Sequence, residues 1–241
     1  MAGARLVLAR PEGHRDPAYL LDCVDREGIT LLHFVPSMLR TFLEEAGQRR
    51  AALPALRAVV CSGEALSADL QARFFEQIKV PLYNLYGPTE ASIDVSAWKC
   101  REDGTNVVPI GHPIDNTELY IVDGSMNPVP VGVPGELLIG GIQLARGYLA
   151  HPELTAACFV PDPFSGRQGD RLYRTGDLAR FREDGAIEFL GRRDHQVKLR
   201  GLRVELAEIE AVLRMHPAVR DCVVVAHERA PGDVRLVAYV A

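Results

Sequence analysis

Apolar residues recur along this chain with two different periods, and the switch between them divides the sequence. In "GITLLHFVPSML" a run from residues 29 to 35 reads as a buried strand broken by Pro36. Ser37 then stands where it can cap a helix running to Ala46, with Gly47 as its stop. "LRAVVCSGEALSADLQARFFEQI" repeats the arrangement. A strand over 57–61 enters a Ser-Gly-Glu turn, and Ser67 caps a helix whose Leu70, Phe74 and Ile78 fall on one face. "VPLYNLYG" is the next strand. Strands alternating with helices predict an α/β fold with a parallel or mixed sheet, in which ligands sit beyond the carboxyl ends of the strands. His33, the Ser62-Gly63-Glu64 turn and the Thr89-Glu90 pair all fall at or near such ends.

From about residue 107 the period shortens. "TELYIVD", "GELLIGG", "RLYRTGDLARF" and "AIEFLGR" alternate in short segments between Gly, Pro and Asp-Gly, which predicts a β-rich layer of hairpins, Glu183-Asp184-Gly185 being one turn. Beyond Arg192-Arg193-Asp194 the pattern changes again. A strand is followed by an amphipathic helix with Leu206, Ile209 and Leu213 on one face, ended by Pro217, and by another strand. The expected organisation is therefore a large lobe over residues 1–193, followed from 194 to 241 by the start of a small α+β lobe.

Composition narrows the class without naming a function. With 241 residues, 47% of them hydrophobic and 24% charged, the chain can bury a sizeable core. A net charge of −5 gives no general attraction to nucleic acid or anionic lipid. The apolar run near the N-terminus is broken by Arg10 and is too short for a signal sequence, and no stretch reaches the roughly 18 apolar residues of a membrane span. A cytoplasmic location is expected. Cys23, Cys61, Cys100, Cys158 and Cys222 are scattered without a C-x-x-C pair, which favours free thiols over a disulfide or zinc framework.

The candidate chemistry begins at "NLYGPTEASID", residues 84–94. A hydroxyl beside a carboxylate on a Gly-Pro turn suits Mg²⁺ held partly by protein and partly by phosphate oxygens. Tyr86 can stack on a purine whose edge Asn84 reads; the competing reading is a capped turn after a strand. Asp177 in "YRTGD" is placed to accept from two ribose hydroxyls, although Asp after Gly is commonly structural. "GRRDHQVKLRG" is a basic run that alone reads as a solvated strand edge. "GGIQLARGY" lacks the spacing of a phosphate-binding P-loop.

Taken in order, YGPTE, "GELLIGGIQLARGYLAHPELTAACF", YRTGD and "GRRDHQVKLRGLRVELAEIE" resemble the ANL adenylate-forming superfamily, and most closely the adenylation domain of a non-ribosomal peptide synthetase. The resemblance covers essentially the whole chain. It implies that ATP and an amino acid form an aminoacyl-adenylate and pyrophosphate, and that the acyl group then passes to the phosphopantetheine thiol of a peptidyl carrier domain, with condensation domains as further partners. It implies that Glu90 holds Mg²⁺ and Thr89 contacts the α-phosphate or metal. Tyr86 and Gly87 would lie against adenine with Gly63, Glu64 and Ala65 on the other side and Asn84 at the exocyclic amine. Asp177, helped by Arg192, would bind ribose. Asp194 matches the hinge of the small lobe, and Lys198 to Arg203 would face the pantetheine tunnel.

By position, the same resemblance places His33, Val60, Ser62, Leu85, Ile93 and Asp94 in the amino-acid pocket. A buried Asp94 needs a donor, and a substrate hydroxyl flanked by His33 and Ser62 supplies one. The set resembles the family's pockets for serine, with threonine next. A site built around a hydroxyl rejects alanine by roughly 10⁴-fold, whereas one extra methyl is discriminated by only about 10- to 200-fold. The family's phosphate loop and amine-binding aspartate are not found before residue 30, nor its adenylating lysine before Ala241. The chain is therefore expected to be a piece of a longer synthetase and a poor catalyst alone. Another ANL ligase, such as an acyl- or aryl-CoA synthetase, and a non-catalytic remnant are the alternatives.

Overall fold

A computed structural model describes residues 3–104, 106–193, 197–199, 202–228 and 234–241. The first helix, α1 (Pro17–Glu27), has no counterpart in the sequence reading. Asp16 accepts from the backbone N–H of Tyr19 at 3.1 Å, Pro17 opens the first turn, and Gly28 closes the helix in a left-handed conformation. β1 (Leu31–Phe34), β2 (Ala58–Cys61) and β3 (Leu82–Tyr86) then pair in parallel, joined through α2 (Pro36–Arg49) and α3 (Ala68–Gln77). β4 (Ser96–Lys99) and β5 (His112–Pro113) continue the sheet antiparallel, so the sheet is mixed. Leu39, Phe42 and Leu43 of α2 and Leu70 and Phe74 of α3 are fully buried in one cluster with Val59, Cys61 and Leu82 from the strands. At roughly 1.5–3 kcal/mol for each large apolar side chain removed from water, this cluster dominates the lobe's stabilisation.

Two expectations at helix ends are corrected. Ser37 does not cap α2. The residue at the cap position is Val35, and Ser37 lies in the first turn, where its N–H (2.9 Å) and hydroxyl (3.2 Å) both donate to the Glu64 carboxylate. Nor does Gly47 stop α2, which continues to Arg49 and ends with Arg50 in the left-handed region. Ser67 does cap α3, accepting from Leu70 N–H at 3.2 Å.

A second, wholly antiparallel sheet follows. β6 (Thr117–Val122), β7 (Gly135–Gly141), β9 (Arg171–Phe181) and β10 (Ile187–Arg192) lie in the order β10-β9-β7-β6, and β8 (Phe159–Pro161), reached through α4 (Pro152–Cys158), pairs with β9. The Arg182–Ala186 turn closes the β9–β10 hairpin with Gly185 at φ +78°, as the Asp-Gly pair predicts. Ile121, Leu137, Ile139, Tyr173, Ala179 and Ile187 from this layer share a core with Tyr86 of the first sheet and with Ala91, Val95 and Ile110 from the segments beside it. The end of β3 is therefore where the two sheets meet.

After residue 196 come the hairpin β11 (Val197–Leu199) and β12 (Leu202–Val204), then α5 (Leu206–Arg214), then β13 (Cys222–Glu228) paired antiparallel with β14 (Val234–Val240). Glu210 Oε1 accepts from Val224 N–H at 2.8 Å and Arg214 Nη2 donates to Cys222 O at 2.7 Å, which fixes α5 on β13. The proposed hinge Asp194 lies outside the described residues. All five cysteines are free thiols, and all but Cys158 are buried. Among the described residues no helix is long and apolar enough to cross a membrane.

Candidate active site

The parallel strands β1, β2 and β3 deliver their carboxyl ends to one side, and the candidate residues are grouped there. His33 pairs in register with Val60, so both stand on the same face of the sheet. His33 Nε2 and Ser62 Oγ are 2.7 Å apart. Asp94 faces this pair from the loop before β4. Burial raises its pKa, and the charge of His33 acts in the opposite direction. Its Oδ1 is buried without a hydrogen-bond partner, an arrangement that ordinarily costs a folded chain and so marks the atom.

The loop that carries Asp94 is tightly folded. Ser92 and Ile93 take φ of +58° and +84°, rare for any side chain and rarer for a β-branched one. A Cβ on Gly87 would lie 2.2 Å from the Ile93 carbonyl oxygen, so only glycine lets the loop return over β3. This geometry corrects one expectation: the Ile93 side chain is 70% exposed and does not line an enclosed pocket. The positive φ rotates it outward. Leu85 is half-buried on β3.

Next to Ser62, a cavity of about 220 Å³ is lined by Gly63, Glu64, Ala65, Asn84, Tyr86 and Phe189, among others. Asn84 Nδ2 donates to Pro109 O at 2.8 Å, which leaves its Oδ1 as the atom able to take a further donor. Tyr86 is buried. Its ring lies 6.2 Å from that of Phe189, and its hydroxyl donates to Asp177 Oδ2. Burial, then the neighbouring Asp177, push its pKa well up, so the phenol stays protonated.

Asp177 is turned inward by paired irregularities in the second sheet. β9 carries surplus residues between the pairs Glu136↔Leu178 and Leu138↔Arg174, with Gly176 at φ +72°, while β10 bulges between Phe189 and Gly191. Asp177 is 4% exposed as a residue, and Arg192 Nη1 donates to its Oδ1 at 2.6 Å while Nη2 reaches Thr175 O at 3.1 Å. A buried acid with an arginine and a phenol is satisfied as well as placed.

Thr89 and Glu90 open a 3-10 turn (Thr89–Ala91) immediately after β3 and Gly87-Pro88. Thr89 is exposed and Glu90 half-buried. Both border a larger hollow of about 540 Å³, also lined by Tyr148, Thr175 and Arg192. The Tyr148 hydroxyl donates to Glu90 Oε1 at 2.7 Å. Among the described residues no group of three His, Cys, Asp or Glu side chains gathers. The Glu90 carboxylate beside a hydroxyl suits a hard cation that takes its remaining ligands from water and phosphate, so the donor set fits Mg²⁺ in that mode. Phe189 and Tyr148 were not singled out from sequence. They lie far along the chain from their partners, with 58 residues between Tyr148 and Glu90, and no local pattern links them.

The mixed α/β sheet with a cleft at its strand ends, joined to a β-layer that supplies an inward carboxylate, agrees with the family described as AMP-binding enzyme. Residues 1–149 match that family, and the chain belongs to it. More narrowly, its sequence and fold are those of the adenylation domains of non-ribosomal peptide synthetases. The chain is 56% identical over 99% of its length to phosphinothricin tripeptide synthetase PhsB of Streptomyces viridochromogenes. Among solved structures, it matches 93% of its length to the Vibrio cholerae adenylation domain AlmE in complex with glycyl-adenosine-5'-phosphate, at 34% identity and a TM-score of 0.79. It also matches 93% of its length to holo-PA1221, an NRPS protein with adenylation and PCP domains bound to a vinylsulfonamide inhibitor, at 31% identity and a TM-score of 0.85. The chain spans 20% of PhsB, 44% of the AlmE chain and 39% of the PA1221 chain.

Proposed function

We propose that this chain carries the amino-acid pocket and most of the nucleotide cradle of an adenylation site that activates a small hydroxylated amino acid, with L-serine favoured. In that reaction a carboxylate oxygen of the amino acid attacks the α-phosphorus of ATP. A new P–O bond forms, the bond to the β-phosphate breaks, and pyrophosphate leaves with the electron pair. In a second step the thiol of a carrier-borne phosphopantetheine loses its proton, attacks the acyl carbon and displaces AMP. Gly63, Glu64 and Ala65 flank the base opposite Tyr86, and Asn84 Oδ1 accepts from the exocyclic amine. Asp177, held by Arg192, accepts from the ribose hydroxyls. Thr89 meets the α-phosphate, and Glu90 would hold Mg²⁺, which supplies charge neutralisation on the phosphates. In this reading the Lys198 to Arg203 loop would face the pantetheine in the transfer state and Asp194 would be the hinge between the two, with Asp194, Arg200 and Gly201 lying outside the described residues. The partners in this reading are the peptidyl carrier and condensation domains of a longer synthetase.

One observation carries the substrate assignment: Asp94 Oδ1 is buried without a donor, beside the hydrogen-bonded His33–Ser62 pair. The hydroxyl of serine donates to that oxygen and accepts from the pair, so a ligand completes what the folded chain leaves unsatisfied. The likeness to AlmE, solved with an aminoacyl-adenylate, and to a carrier-linked NRPS protein supports the reaction class. Titration with a non-hydrolysable seryl-adenylate analogue, beside alanyl and threonyl analogues, tests the pocket directly. Serine-dependent ATP–pyrophosphate exchange by the full-length gene product tests the reaction. Seryl binding far tighter than alanyl, with threonyl weaker by about 10- to 200-fold, is expected. Exchange driven by a carboxylic acid without an amine would assign the chain to an acyl- or aryl-CoA ligase instead.

A further inference from the structure

Besides packing into the shared core through Ala91, the Thr89–Ala91 turn is tied to the second sheet by the loop that runs from β7 to α4. Ala145 N–H donates to Glu90 O at 2.8 Å, and the Ser92 hydroxyl donates to Gln143 O at 2.8 Å. The third tie is to the side chain itself, the Tyr148 hydroxyl on Glu90 Oε1 at 2.7 Å. Tyr148 is in turn anchored. Its N–H donates to Thr155 Oγ1 at 2.9 Å, the Thr155 hydroxyl donates to His151 O at 2.9 Å, and its ring meets Phe159 edge-on with centroids 5.8 Å apart. Gly147 makes that anchor feasible, because a Cβ there would fall 2.3 Å from Thr155 Cγ2.

Packing alone does not require this hydroxyl. A phenylalanine would present the same ring to Phe159, whereas the phenol oxygen bonds the Glu90 carboxylate and also meets the hydroxyl of Tyr173. A carboxylate on a turn has several open rotamers, and fixing one before the ligand arrives removes that freedom in advance.

We propose that Tyr148 is a positioning residue for Glu90, its hydroxyl holding the carboxylate in the rotamer that meets the divalent cation. This inference rests on the reading of Glu90 as that cation's ligand. The test is a Mg²⁺ titration of the binding of a non-hydrolysable ATP analogue, carried out on wild type, Tyr148→Phe, Glu90→Gln and the double variant. Tyr148→Phe is expected to raise the half-saturating Mg²⁺ concentration about tenfold, the scale of an outer-shell loss at a metal site. Metal-free analogue binding stays unchanged, and Tyr148→Phe adds nothing once Glu90 is Gln. An unshifted Mg²⁺ response, or an equal shift in the Glu90→Gln background, overturns the proposal. If wild type itself binds the analogue without any Mg²⁺ response, the assignment of Glu90 fails instead. Should Tyr148→Phe unfold, Thr155→Val, which frees the Tyr148 backbone, decides by a smaller shift in the same direction or none.

Discussion

Asp94 shows what a single residue can disclose. Its ordinary pKa of 3.8 is raised by burial, so over the pH range just above that value the folded chain holds a proton that the unfolded chain has released. Stability therefore falls as pH rises through that window, the reverse of an ion-paired carboxylate. Asp94→Asn, neutral and of the same shape, should raise the thermal midpoint by about 2 °C at pH 7 and leave it unchanged near pH 3, while binding of a seryl-adenylate analogue is lost. Thermal scans across pH check the sign, and a variant less stable at pH 7 than wild type would contradict it. The apolar periods put His33 and Ser62 at strand ends, and the structure brings the two within hydrogen-bonding distance; Asp94, in the loop before β4, has no such local signal and entered only through the family resemblance. The conformation of Ile93 was not legible in sequence, since nothing local in "ASIDV" announces a β-branched residue at φ +84°. Nor was the Tyr86–Asp177 bond, which spans 91 residues.

At the scale of elements, the β1-α2-β2-α3-β3 succession followed from its apolar periods, and the misjudged boundaries have physical causes. Gly47 reads as a stop, but α2 runs on to Arg49, and a methyl at Gly47 would meet only the movable tip of Gln77, Oε1 at 3.1 Å. α1 escaped notice although Asp16-Pro17 is a sound helix start, because only Leu21, Cys23 and Val24 are buried in it, with Leu20 packed partly exposed beside them. Ser37 looked like a cap, whereas the cap comes from Glu64 across the sheet. That contact joins an element to the site. Glu64 neutralises the first turn of α2 and also fixes the Gly63–Ala65 turn that lines the cavity. Glu64→Ala should cost about 1 kcal/mol in urea unfolding and weaken ATP-analogue binding. Ser67→Ala, which removes an ordinary cap from α3, should cost a similar amount with nucleotide binding intact. Equal effects of both variants on binding would show that Glu64 acts through stability alone.

For the molecule as a whole, the decisive feature is that two sheets share one core at the end of β3. The sequence announced a β-rich layer through its change of period, but not how that layer would be fastened, because the fastening is made by residues distant along the chain. Tyr86 enters the second core from the first sheet, and Asp177 and Arg192 meet it from β9 and β10. Asp177 and Arg192 have side chains only 6% and 12% exposed, so bulk water does little to screen the pair. Removing one member of such a pair leaves the other charge buried, which costs more than the intact pair contributes. The surface pair Arg167–Glu118, with the arginine side chain 64% exposed, has no such leverage. Arg192→Leu should therefore lower stability by about 3 kcal/mol, or the thermal midpoint by about 9 °C, and the loss should persist in high salt. Adding Asp177→Asn should restore part of it by removing the stranded charge, whereas Arg167→Ala should change nothing measurable. Calorimetry on the three variants separates the cases, and a double variant no better than Arg192→Leu alone would mean that the arginine acts by filling space instead of balancing Asp177.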